Sequence, residues 1–238
     1  MRRREFLVAG STTAALMMST NMIPTVAIPT ESTSEFSDDK KLTPPADGSI
    51  PVAFAISRGA TMIDFAGPWE VFQDVVVRGT FDAFKLYTVS EKTEPIVASA
   101  GMKIIPDYTF ESAPAPKVVV IPAQAGSQAL HGWLRKIVDS TDITMSVCTG
   151  AFQLGRAGLL SGKEATTHHD FFEQFAKAFP DVKLKRGLRF VEGPKISTAG
   201  GLTSGIDLAL RVVERYFGRA TAEQTAFYME YQSKGWIV

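Results

Sequence analysis

Between residues 51 and 238 short apolar runs alternate with longer stretches whose apolar side chains recur every three or four positions. The short runs predict strands at Val52–Ser57, Phe84–Ser90, Val118–Ile121 and Ile143–Val147, with shorter pieces near Glu164–Thr167, Leu188–Glu192 and Lys195–Thr198. Pro95 and Gly101 bracket a hairpin or extension around 95–106. The longer stretches predict helices at Gly67–Arg78, Ser127–Ser140, Thr149–Ala157, Asp170–Ala178, Ser204–Phe217 and Thr221–Tyr231. Val118-Val-Val-Ile121 is a near-continuous β-branched run, as a strand covered on both faces requires. Strand–helix alternation of this kind implies an α/β domain: a mostly parallel sheet with helices on both faces, three layers in all. In such sheets ligands bind at the carboxyl ends of the strands.

The pattern is absent from the first 50 residues. Arg3-Arg4-Glu5-Phe6-Leu7 reads as a twin-arginine export address, and residues 6–28 carry no charge. That uncharged stretch is diluted by Gly10, Ser11, Thr12, Thr13, Ser19, Thr20 and Asn21, too polar for a convincing membrane anchor. The expectation is a signal peptide over 1–27, cleaved near Thr25-Val26-Ala27, with a periplasmic or secreted product and no stable membrane anchor after cleavage. An uncleaved N-terminal anchor is the competing reading. Residues 28–50 are rich in Ser, Thr, Pro and Asp and read as a flexible linker, leaving 51–238 as one domain. Lys plus Arg and Asp plus Glu are equal at 25 each, no basic stripe is present, and nucleic acid is not an expected partner. A single Cys excludes an intrachain disulfide, and no clustered Cys pattern suggests structural zinc.

That one cysteine is the centre of the candidate chemistry. Cys148 ends the fourth strand run and precedes a helical run, with small Ser146 and Gly150 two places on either side. The spacing mimics the strand-to-helix turn G-x-S-x-G that presents a nucleophile. Unpaired N–H groups and the helix dipole at such a turn favour thiolate, so a thiol pKa below the free value of about 8.5 is expected. The bland reading is a small buried hydrophobe. Asp64, between Ile63 and Phe65 and ahead of a Gly67-Pro68 helix start, is a partly desolvated proton carrier or a helix cap. The loop Pro122-Ala-Gln-Ala-Gly126 offers backbone N–H groups to a developing negative charge, or is an ordinary connection. His168 is a candidate base or orienter for Cys148; it and His169 otherwise stand at a helix start capped by Asp170. Adjacent strand residues point to opposite faces, which argues against a metal held by His168, His169 and Asp170 together. The loop Ser197–Asp207, with Gly200 and Gly201, shapes a pocket floor or merely permits close helix–strand packing.

Taken together, these residues resemble the ThiJ/PfpI superfamily of the class I glutamine amidotransferase-like fold, and within it the isonitrile hydratase group. The shared segments are Thr61-Met-Ile-Asp64-Phe-Ala-Gly67-Pro68-Trp-Glu-Val-Phe72, Ser146-Val-Cys148-Thr149-Gly150-Ala151, Leu154-Gly155-Arg-Ala-Gly158-Leu-Leu160, Ala165-Thr-Thr-His168 and Thr203-Ser-Gly205-Ile-Asp207-Leu-Ala-Leu210, with Glu230-Tyr231 near the end. The resemblance covers essentially 51–238. It implies a flavodoxin-like sandwich, usually homodimeric, with the cysteine on a nucleophile elbow. It also implies a small-molecule substrate and no cofactor or metal. Cys148 would attack an isonitrile carbon, Asp64 would manage the proton and water, and Thr149 would assist. Gly67, Gln124, Ala125, Gly150, His168 and Gly201 would line the pocket. Two departures stand out. Protease-like members have His after the Cys where this chain has Thr149, as the hydratase group does. The loop after the third strand is normally Gly-Gly rich, where this chain has Ala123-Gln124-Ala125-Gly126. Regulators sharing the domain add a C-terminal helix-turn-helix, so that role is not expected. A non-catalytic or redox-responsive binding protein is the alternative to the enzyme.

Overall fold

The computed structural model describes residues 41–46 and 48–238; the expected export signal and most of the linker lie outside the described residues. The expected alternation is present. A seven-stranded sheet is built from β1 (Ile50–Ala55), β2 (Phe84–Ser90), β5 (Tyr108–Thr109), β6 (Val118–Ile121), β7 (Ile143–Ser146), β10 (Phe190–Val191) and β11 (Ile196–Ala199). The strand order is β10-β11-β7-β6-β1-β2-β5, with every neighbouring pair parallel except β10 with β11. The hairpin region becomes a small antiparallel pair, β3 (Ile96–Val97) with β4 (Lys103–Ile104). The segment near 164 does not join the main sheet. Its β8 (Glu164–Ala165) pairs instead with β9 (Lys183–Leu184) in a two-stranded side sheet.

Among the described residues six α-helices cover the sheet: α1 (Met62–Gln73), α2 (Gln128–Ile137), α3 (Ala151–Arg156), α4 (Phe172–Ala178), α5 (Ser204–Phe217) and α6 (Arg219–Tyr228). Alternation along β1 sorts the core into two layers. Val52 and Phe54 pack with Val71 and Phe72 of α1, Leu208 and Val212 of α5 and Ala222 of α6. Ala53 and Ala55 face the other way, with Leu130 and Leu134 of α2, Leu154 of α3 and Phe175 of α4. The three-layer flavodoxin-like sandwich is therefore the fold. Val118–Ile121 is buried at all four positions, as its β-branched composition requires.

Among the boundaries that differ from the sequence reading, three have a visible physical reason. β1 starts at Ile50, within the segment read as linker, because Ile50 is buried against the core; Leu42 also packs there and donates its N–H to the Arg215 carbonyl. α1 starts at Met62 rather than Gly67, so Pro68 lies inside the helix and Asp64 in its first turn. Proline has no N–H for the Asp64 carbonyl, and the helix tolerates that loss because Pro68 and Gly67 are packed against α5. The third helix is split: a single 3₁₀ turn, Cys148–Gly150, precedes α3. Ser127 caps α2, its hydroxyl accepting the Leu130 N–H. α5 runs over Ser204–Phe217 as read from the sequence.

Candidate active site

β6, β1 and β7 are adjacent, and the connections leaving their carboxyl ends meet in one place. The connection after β7 carries Cys148, whose φ of 59° is left-handed, a region a non-glycine residue enters only when its surroundings hold it there. Those surroundings are visible. The Cys148 N–H donates to the Gly200 carbonyl at 2.8 Å, and its carbonyl accepts the Thr167 hydroxyl at 2.9 Å. Gly150 lets the turn lie against the end of β6; a Cβ there would sit 2.2 Å from the Ile121 carbonyl oxygen. Sharp turn, strained residue and close glycine together make the nucleophile elbow.

The connection after β1 brings Asp64 to the same point. The Thr61 N–H donates to the Ala123 carbonyl at 2.9 Å, and the Ala123 N–H donates to Asp64 Oδ2 at 3.0 Å. Asp64 is 0% exposed, and its Oδ1 has no hydrogen bond of full geometry. Burial pushes the carboxyl up to about 6, against which the Ala123 N–H, the Cys148 thiol and the Leu202 N–H favour its charged form.

The thiol does not behave as its place on the elbow suggested. Burial and the Asp64 charge push it up to about 11, outweighing the Thr149 N–H, the Leu202 N–H and the Thr149 hydroxyl, which favour thiolate. The expectation of a thiol below about 8.5 is corrected on physical grounds. One 3₁₀ turn and a six-residue helix supply little dipole, while a buried sulfur beside a carboxylate loses hydration and meets like charge. The resting pair shares protons, with the sulfur predominantly protonated.

Cys148, Asp64 and Thr149 are thus assembled in one place, and Leu202 joins them. Sequence reasoning missed Leu202; its φ of 53° makes it the second strained residue at the site, and it turns its N–H toward both reacting groups. The Gly200-Gly201 pair ahead of it was the available signal. The other candidates divide. Gln124 turns its side chain back to the Ala55 carbonyl, Nε2 donating at 2.8 Å. The N–H groups of Ala125 and Gly126 go to the Arg58 carbonyl and the Ser57 hydroxyl, and that of Ala123 to Asp64. Those three are therefore not free to serve a developing negative charge. Ala125 lines a different cleft, of about 430 Å³, beyond the end of β1. Gly67 is a packing residue: a Cβ there would meet the Ile206 side chain at 2.9 Å.

His168 and Gly201 pack together in the lining of a cleft of about 390 Å³, with Leu202, Thr203 and Arg189. A Cβ on Gly201 would stand 2.3 Å from the His168 ring. His168 Nδ1 accepts the Asp170 N–H at 3.2 Å. The two histidine rings stack at 4.4 Å rather than point apart, because the chain turns into a 3₁₀ helix at His169. The argument from opposite strand faces therefore fails here. One donor atom from each of His168, His169 and Asp170 lies within 4.8 Å of the others. They are engaged with one another, His169 Nε2 lying 3.2 Å from Asp170 Oδ1.

Residues 51–215 match the DJ-1/PfpI family. The chain is 29% identical over 192 residues to isonitrile hydratase from Pseudomonas putida, covering 77% of this chain and 79% of that protein. It is 30% identical over 179 residues to a helix-turn-helix-type transcriptional regulator of Pseudomonas aeruginosa, of whose length it spans only 52%. Among solved structures, a ThiJ/PfpI family protein from Pseudomonas syringae superposes with a TM-score of 0.69 at 25% identity, over 87% of this chain and 84% of that one. DJ-1beta of Drosophila melanogaster shares the fold, with a TM-score of 0.68 at 18% identity over 78% of this chain and all of that one. The chain belongs to the DJ-1/PfpI family.

Proposed function

We propose that this protein is a cysteine-dependent hydratase of isonitriles, converting R–N≡C and water to the N-substituted formamide R–NH–CHO. The observation that carries the reading is the buried Asp64–Cys148 pair with Thr149 donating to the sulfur. An isonitrile carbon accepts both a nucleophile and a proton. Asp64, at about 6, is placed in the range where a carboxyl both takes and returns a proton near neutrality. It takes the thiol proton as sulfur attacks the terminal carbon, then delivers it to the same carbon, giving the thioimidate R–N=CH–S–Cys148. Water adds to that carbon with Asp64 as base and the nitrogen gains a proton. The sulfur leaves as the C=O forms, and the thiol regains its proton. Each proton taken up by Asp64 is returned, so the net charge of the site is the same before and after each step. The N–H groups of Thr149 and Leu202 and the Thr149 hydroxyl face the sulfur and stabilise it as leaving group.

A redox-responsive role has less support, since oxidation of a sensor cysteine draws on a resting thiolate and this thiol is pushed up to about 11. The proposal extends to place and assembly: export by the twin-arginine route, work in the periplasm or outside the cell, and a homodimer. Val97, Met102 and Ile105 on and beside the β3–β4 hairpin are exposed apolar side chains available to a second copy. Cys148→Ala is the direct test of the chemistry: a loss on the order of a thousandfold in turnover is expected. Retained turnover in that variant would remove the nucleophile assignment.

A further inference from the structure

We propose that Gln153 is a positioning residue for this chemistry, its carboxamide tying the nucleophile helix to the turn that supplies the Asp64 hydrogen bond. The proposal rests on the hydratase reading for its catalytic consequence, though not for its geometry. Gln153 lies on α3, five residues after Cys148, and is 1% exposed. Its Nε2 donates to the Gln124 carbonyl at 3.0 Å. Its Oε1 therefore faces His131 Nε2, 2.9 Å away, which fixes that nitrogen as the protonated one. His131 is itself buried on α2. Both ends of the amide are thus used in a buried place, where an unpaired polar group costs most.

The turn is shaped to this amide. Gly126 has a φ of 72°, and a Cβ on it would lie 2.1 Å from Gln153 Oε1. Only glycine leaves room for the carboxamide there. One residue before Gln124, the Ala123 N–H donates to Asp64 Oδ2 at 3.0 Å. Gln153 thus connects the two reacting groups by separate routes. It moves with Cys148 through the helix and holds the Ala123–Gln124 peptides over Asp64 by its own hydrogen bond. Losing that bond frees the turn, weakens the Ala123 donor and makes the Asp64 carboxyl easier to protonate.

The test uses the full protein and its single thiol. The iodoacetamide alkylation rate of Cys148 has an inflection at the pH where the Asp64–Cys148 pair releases its first proton. In Gln153→Met, close in length but unable to donate, that inflection is expected to move up by at least half a unit, a threefold gain in proton affinity. The isonitrile kcat should fall about tenfold at an unchanged KM. Gly126→Ala presses on the same carboxamide from the turn side and should move the inflection in the same direction, so the idea does not depend on one variant folding. A folded Gln153→Met or Gly126→Ala protein with the wild-type inflection overturns the proposal. Absence of isonitrile turnover in the wild type would overturn the hydratase reading and leave the alkylation measurement still decisive for Gln153.

Discussion

Asp64 is a carboxyl placed where folding alone would not choose to place one. Its pKa in the folded state is raised from 3.8 to about 6, so the native state binds this proton more tightly than the unfolded chain does. The stability that goes with the bound proton is fully present below about pH 4 and is lost as the pH rises through about 6. At 1.36 kcal/mol per unit the loss at neutral pH is about 3 kcal/mol. Asp64→Asn should therefore be more stable than the wild type in urea unfolding at pH 7.5, by up to about 3 kcal/mol, and no more stable at pH 4. The same change removes the negative charge that raises the thiol, so Cys148 in Asp64→Asn should alkylate faster at neutral pH while turnover is lost. A variant that is less stable at pH 7.5, or that alkylates more slowly, would contradict the electrostatic account of the pair. Cys148 itself was legible in the sequence from its small neighbours and its place between strand and helix. Its protonation state was not, because that depends on how deeply the fold buries the sulfur and how close it brings a carboxylate from 84 residues away.

The elements show the same division between local and distant causes. α5 and β6 were read with their bounds because periodicity and β-branched runs are local signals. α1 was displaced by five residues because Gly67-Pro68 has the local form of a helix start, while its actual role is packing against α5. β5 and β9, each two residues long, have no periodicity to read and exist through pairing alone. Ala123-Gln124 stands in a loop where a Gly-Gly pair was expected to line the pocket. The structure instead uses Gln124 to fasten the loop to β1, and its carbonyl to receive Gln153. The elbow itself rests on Gly150. A methyl group there would lie 2.2 Å from one backbone carbonyl oxygen and 2.9 Å from the next, neither of which has a flexible end to give way. Gly150→Ala should cost about 1–3 kcal/mol in thermal or urea unfolding and lower Cys148 alkylation and turnover together. An alanine variant with wild-type stability and reactivity would show that the elbow is not held by this close approach.

At the scale of the whole molecule, the sheet order brings the ends of β1, β6 and β7 side by side, and this alone unites residues from three distant segments. Among the described residues no helix is long and apolar enough to cross a membrane. Attachment and export in this account depend on the first 27 residues. Changing Arg3 and Arg4 to Lys should leave the protein in the cytoplasm, read by fractionation; an unchanged periplasmic yield would count against the twin-arginine route. Light scattering on the purified protein tests the homodimer, and a monomer at micromolar concentration would refute it. The proposed chemistry is tested by mixing the purified protein with alkyl and aryl isonitriles and following formation of the N-substituted formamide by NMR beside a Cys148→Ala control. Formamide that accumulates over many turnovers with the wild type and not with Cys148→Ala is the predicted result. No formamide from any isonitrile with folded wild-type protein, or equal amounts from the alanine variant, would contradict it.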